Sequence, residues 1–176
     1  MQSRLGLGHT LVEFAALGAA YAGLGRLDEA VPLLEQAVER AIAMKLKANQ
    51  ALRLARLAEA HLRTGRMDAA FAMATQAVDL AQEHRERGHQ AHALRVLAAI
   101  YVARAEPAFD RAEEGYAKAL SLAEQLGMRP LQAHCHAGLS RLHRRRGDAR
   151  AAAVATEVAR QLFHAIQMTA PPAEAE

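Results

Sequence analysis

Gly25-Arg26-Leu27-Asp28-Glu29-Ala30 returns forty positions later as Gly65-Arg66-Met67-Asp68-Ala69-Ala70, and in looser form as Gly147-Asp148-Ala149-Arg150-Ala151-Ala152. Each copy leads into an alanine-rich segment, and each follows a ring. The rings are Tyr21, His61 and His143, with Tyr101 completing a series at intervals of 40, 40 and 42 residues. One unit is therefore written four times. A period of this length marks a stacked-repeat protein, because each unit exposes apolar faces that only its neighbours can cover. Such a fold makes surfaces more than clefts, so the mode of action it points to is binding.

Composition agrees. The chain has 176 residues, 52% of them hydrophobic but only 4% aromatic, with no tryptophan. Alanine, the best helix former, lets helix axes approach closely, so this core is expected to be all-α and tightly crossed. The 22 Lys and Arg are interspersed with 19 acids, leaving a net charge of +3. A dedicated nucleic-acid binder segregates more positive charge than this. The single cysteine, Cys135, excludes an intrachain disulfide and suits a reducing compartment. No apolar run has the length of a signal peptide or membrane span, so a cytoplasmic location is expected.

Helical periodicity continues from residue 11 to 168 and predicts about eight helices in four hairpins. The units cover about 11–47, 48–87, 88–127 and 128–168. Glycines at 25, 65 and 147 break the first helix of a unit from its second, and Asp28, Asp68 and Asp148 are expected to cap the helix that follows. Pro32 is expected near the first turn of its helix, where a missing N–H costs little. The third unit has a turn two residues longer, containing Pro107. Residues 1–10 read as a piece of a preceding repeat, and residues 169–176, with adjacent prolines, as a disordered tail.

Four sets of residues resemble the tetratricopeptide repeat. They are Phe14, Leu17, Gly18, Tyr21, Ala30, Leu34 and Ala37; Leu54, Leu57, Ala58, His61, Ala70, Ala74 and Ala77; Leu94, Leu97, Ala98, Tyr101, Ala112, Tyr116 and Ala119; and His136, Leu139, Ser140, His143, Ala152, Thr156 and Ala159. The resemblance implies an α-solenoid with a right-handed superhelix that binds protein partners. The period exceeds the usual figure of about 34, which resembles the long-helix subclass of bacterial signalling ATPases, kinesin light chains and transcriptional activators. Gln50-Ala-Leu-Arg-Leu-Ala55, His84-Arg-Glu-Arg-Gly-His89 and Leu126-Gly-Met-Arg-Pro-Leu-Gln-Ala-His-Cys-His136 resemble the C-terminal repeat region of bacterial regulators that join a class III cyclase domain to an AAA-type ATPase domain. That likeness implies a sensory or scaffolding role without the cyclase or ATPase chemistry. The chain holds no phosphate-binding Gly-x-x-x-x-Gly-Lys-Ser/Thr loop.

Candidate chemistry is sparse. His134 and His136 flank Cys135, but residues two apart on a helix point away from one another and cannot share one tetrahedral ion. His89 and His92, at i and i+3, could converge on a metal with His84 nearby, but no metal site is assigned. Cys135 reads as a small buried hydrophobe, and none of Ser3, Ser121 and Ser140 lies in a nucleophile elbow. No catalysis and no cofactor are expected. The sharpest local feature is the basic cluster Arg141, Arg144, Arg145, Arg146 and Arg150. It reads either as cations favoured at a helix C-terminus or as part of a partner-binding groove.

In the second reading, the positions that face a concave groove hold Glu59 and Arg63 in the second unit and His92 and Arg95 in the third. In the fourth they hold His134, Arg141, Arg144 and Arg145, against only Ala15, Ala19 and Ala22 in the first. A groove grading from apolar to cationic suits an acidic protein or peptide, with arginine forks contacting carboxylates. Without interleaved aromatics for base stacking, nucleic acid ranks well below protein. The final helix keeps Val154, Val158, Leu162, Phe163 and Ile166. This predicts an exposed apolar stripe that favours a homodimer or docking on a further domain. The expected function is a protein-interaction scaffold in bacterial signalling; the alternative is a regulatory fragment of a larger cyclase- or ATPase-containing protein.

Overall fold

The computed structural model describes residues 2–168, with side chains from residue 11 onward. Among them the chain is all-α, with eight helices and no strand. The helices are α1 (Gln2–Gly23), α2 (Leu27–Ala43), α3 (Gln50–Arg63), α4 (Met67–Glu83), α5 (Arg87–Ala103), α6 (Phe109–Gln125), α7 (Arg129–Arg146) and α8 (Ala149–Ala165). α1 packs on α2, α3 on α4 and α7 on α8, while α2 meets α3 and α6 meets α7. This is a tetratricopeptide-like order of first helix, turn and second helix. The chain divides into two compact units, Met1–Val96 and Leu97–Glu176. The side chains of residues 1–10, expected as a remnant of a preceding repeat, and the expected tail at 169–176 lie outside the described residues.

The turns explain the spacing. After a first helix, Gly25, Gly65 and Gly147 adopt φ of 78°, 75° and 84°. The next amide then reaches back five residues, Arg26 N to Tyr21 O, Arg66 N to His61 O and Asp148 N to His143 O, each at 2.9 Å. After a second helix the same left-handed position falls to Lys45, Arg85, Gly127 and Gln167, at φ of 53°, 56°, 65° and 55°. Again the following amide closes on the carbonyl five residues back, as in Glu86 N to Ala81 O at 2.8 Å. This hydrogen-bond pattern ends a helix where a residue can tolerate positive φ. Three of the four second-helix positions hold side chains that resist it. Gly88 lies in the first turn of α5, and Arg85 makes the turn.

Two of the three expected caps are corrected. α2 and α4 begin at Leu27 and Met67 with Arg26 and Arg66 in the cap position, and neither cap side chain bonds the helix amides. Asp28 and Asp68 sit one residue inside, where they favour the positive end of the dipole without accepting a capping hydrogen bond. In the fourth copy the aspartate follows glycine directly, so Asp148 does cap, accepting from Ala151 N at 2.9 Å. Pro32 is the sixth residue of α2. It lies beyond the first turn, and its missing N–H forgoes one intrahelical bond.

The second helices bury alanine where they cross their neighbours: Ala30, Ala37 and Ala41 in α2, Ala70, Ala74, Ala77 and Ala81 in α4, Ala112, Ala119 and Ala123 in α6. Larger side chains fill the spaces between. In the first unit Val31, Leu34 and Val38 of α2 pack with Leu54, Leu57 and Ala60 of α3. In the second, Phe163 of α8 is buried with Ala133 of α7, covered in part by Leu162 and Ile166. The expected apolar stripe on α8 is therefore mostly turned into its own hairpin, leaving Val154 as its exposed member at 60%.

Candidate partner-binding surface

The predicted groove residues divide between the two compact units. In the first, Glu59 of α3 and Arg95 of α5 bind each other, with Arg95 Nη2 donating to Glu59 Oε2 at 2.7 Å. The Arg95 side chain is 8% exposed and that of Glu59 41%, so the pair ties neighbouring helices at a largely covered position. His92 is half-buried on α5. Arg63, at the end of α3, donates from Nη1 to the carbonyl of Ala22 in the last turn of α1.

In the second unit all four residues lie on α7. Arg145 repeats what Arg63 does: its Nη1 donates to Val102 O and, at 3.3 Å, to Arg104 O, at the C-terminal end of α5. A helix C-terminus presents unsatisfied carbonyls and partial negative charge, which a guanidinium from the next first helix satisfies. Arg63, Arg104 and Arg145 are spaced 41 residues apart. That register is visible in the sequence, but only the structure shows carbonyls as the partners of two of them.

Arg144 donates to Ser140 Oγ at 3.0 Å and lies 3.4 Å from Thr156 Oγ1, and the two hydroxyls are 2.6 Å apart. The His134 ring meets Phe163 edge-on at 5.1 Å. Arg141 is half-buried and makes no hydrogen bond or ion pair among the described residues. His134, Arg141 and Arg145 share one stripe of α7, being spaced by seven and four residues, and Arg144, three from Arg141, borders it on the side of α8. Arg146 turns the other way, to Asp110 Oδ1 at 2.6 Å and Glu113 Oε2 at 2.8 Å on α6. Those carboxylates hold the Arg146 guanidinium above its ordinary pKa.

A feature the sequence reading missed is a shallow open cleft of about 390 Å³ between α7 and α8, lined by His136, His143, Asp148, Arg150, Val154 and Val158. The signal for it was His136 at a position that Phe14, Leu54 and Leu94 fill in the other units. Burial lowers the His136 pKa against a raising effect from Glu124. No cluster of three or more metal-ligating side chains exists among the described residues. His89 has Nδ1 3.1 Å from Glu86 Oε2. Cys135 is buried. No described helix is long and apolar enough to cross a membrane.

This hairpin repeat is tetratricopeptide-like in architecture, and residues 10–83 match the tetratricopeptide repeat family. No curated protein matches the chain in sequence. Among solved structures, it is similar to BtubC (BKLC) from P. vanneervenii, with a TM-score of 0.66 and 18% identity over 94% of this chain and 68% of that one. It is also similar to a putative kinesin light chain with nearly identical TPR-like repeats from Podosopora anserina, with a TM-score of 0.57 and 21% identity over 90% and 77% of the respective chains. At these identities the likeness is one of fold.

Proposed function

We propose that the chain is a non-catalytic protein-interaction scaffold whose α7 stripe engages an acidic peptide or partner segment. The observation that carries this reading is Arg141. It is a half-buried cation with no partner among the described residues, next to the exposed Arg144, whose guanidinium meets the hydroxyls of Ser140 and Thr156. Arg63, Arg95 and Arg145 are engaged with carbonyls or a carboxylate, so the expected cationic surface narrows to Arg141 and Arg144 with His134 beside them. Arginine forks on a rigid helix bind carboxylates with defined geometry at small ordering cost. By its resemblance to cyclase and ATPase regulators, the system served is bacterial signalling.

The test is selection of peptides from a displayed library on the purified chain, repeated on Arg141→Glu/Arg144→Glu. Enrichment of acidic sequences that the variant no longer retains supports the reading. Enriched peptides without acids, or retained equally by the variant, overturn it. Helicity measured by circular dichroism should be the same in both proteins.

A further inference from the structure

The cleft between α7 and α8 is a seam that the first compact unit closes and the second leaves open. In the first, Met73 of α4 packs against the cluster that holds Leu54 of α3. Beside them Glu35 Oε1 of α2 lies 3.8 Å from His61 Nε2 and 3.3 Å from Arg66 Nη1. Eighty-two residues later, the positions of Glu35, Leu54, His61 and Met73 hold Ala117, His136, His143 and Ala155. A carboxylate and a methionine chain are both missing there, and the cleft of about 390 Å³ takes their place. His136 and His143, seven residues apart, share the face of α7 turned toward α6, and Glu124 of α6 acts on the His136 ring. The opening thus lies between helices of one compact unit, away from the face of α8 that bears Thr156.

Three nitrogen-bearing side chains line the cleft, His136, His143 and Arg150, and none of them has a hydrogen bond or ion pair among the described residues. The carboxylate in the lining, Asp148, already accepts from Ala151 N at 2.9 Å as the cap of α8. His143 Nδ1 is buried without a partner. A proton on that atom would be a stranded donor, so the neutral ring keeps its proton on Nε2. This is the nitrogen that the matching His61 turns toward Glu35. The cleft therefore offers an imidazole N–H, an exposed guanidinium, and apolar walls in Val154 and Val158.

We propose that this cleft binds a small carboxylate with an apolar body, of the arylalkanoate class. The ligand's carboxylate stands where Glu35 stands in the first unit and meets His143 Nε2–H and the Arg150 guanidinium. Its apolar body fills the space that Met73 fills there, over Ala155 and against Val158. A cleft of this volume with a few convergent donors suits a small molecule, and the arginine fork favours a carboxylate over a neutral amide of the same shape. His134, Arg141 and Arg144 do not line the cleft, so the site is separate from the stripe assigned to an acidic partner.

The probe is phenylacetate, titrated into the whole chain and followed by backbone and histidine-ring NMR resonances. Saturable shifts centred on His136, His143 and Ala151 are expected, with a dissociation constant of roughly a millimolar or below. Phenylacetamide, which lacks the charge, and acetate, which lacks the apolar body, should each bind at least about tenfold more weakly. Ala155→Met restores the filling side chain of the first unit, and Arg150→Gln removes the cation at an exposed position. Each should weaken phenylacetate binding at least about tenfold, while Arg141→Glu/Arg144→Glu leaves it unchanged. Circular dichroism checks that each variant keeps its helicity. The proposal is overturned by absence of saturable shifts, by shifts centred away from the cleft, by equal binding of phenylacetamide or acetate, or by equal binding to either cleft variant. A loss through Arg141→Glu/Arg144→Glu as large as that through Arg150→Gln would assign the carboxylate to the α7 stripe and overturn it too.

Discussion

Gly138 of α7 lies directly against the ring of Tyr116 of α6: a β-carbon there would stand 2.4 Å from both Cζ and Oη of the tyrosine. Tyr116 is 1% exposed, so the ring has no room to retreat. The pair fixes how closely the two helices cross. Gly138→Ala should destabilise the protein by about 1–3 kcal/mol, the usual cost of overpacking, as read from urea denaturation followed by circular dichroism. Replacing Tyr116 with leucine in the same chain should recover part of that loss, and strictly additive effects would show that the two positions are not coupled.

The left-handed turns make an opposite prediction. Arg85 holds a φ of 56° with an exposed side chain, a conformation glycine adopts without the steric cost of a β-carbon. Arg85→Gly should raise stability by about 0.5–1 kcal/mol, whereas Gly65→Ala, at φ 75°, should lower it by about 1 kcal/mol. Thermal melts of the two variants provide the check.

Arg63 and Arg145 are expected to stabilise the fold by closing the ends of α1 and α5. Arg63→Met and Arg145→Met keep much of the side-chain length and remove the donors, and each should cost about 1 kcal/mol, at the low end for charged hydrogen bonds because both sites are solvated. Arg141→Met, with no such bond, should leave the melting temperature unchanged. Amide hydrogen exchange should show faster opening at the last turn of α1 in the first variant and of α5 in the second.

His61 is 2% exposed, and burial depresses its pKa, with Glu35 opposing the shift and Arg66 adding to it. The unfolded imidazole then binds a proton at higher pH than the folded one. Between the ordinary value of about 6.5 and the lower folded value the unfolded state carries more protons, so stability falls as pH drops and is fully present above that window. His136, lowered by burial as well, acts in the same direction. Denaturation midpoints measured from pH 7.5 down to 5 should fall for the wild type and fall less steeply for His61→Gln.

The repeat, its helices and most turns could be read from the chain because they depend on local signals: helical apolar spacing, glycine at positive φ, and a ring recurring near every fortieth residue. The aspartates fail as caps where two residues separate the glycine from Asp28 and Asp68, since the helix starts before them. Asp148, next to its glycine, was read correctly. The candidate surface was less legible for a different reason. Arg63 and Arg145 look like free cations in sequence, and the carbonyls that hold them belong to helices about forty residues away and carry no side-chain signature. Gly138 and Tyr116 were each visible, but their contact depends on the angle at which α6 and α7 cross.

The alanines along the second helices also have a kinetic consequence. A buried alanine has no rotamer to lose, so these seams fold at little side-chain entropy cost and have few alternative packings to visit afterwards. A partner meeting such a surface encounters a template already set in shape. Recognition then resembles the collision of a flexible segment with a stiff rail, its rate governed by how often the partner arrives in register and not by rearrangement of the scaffold.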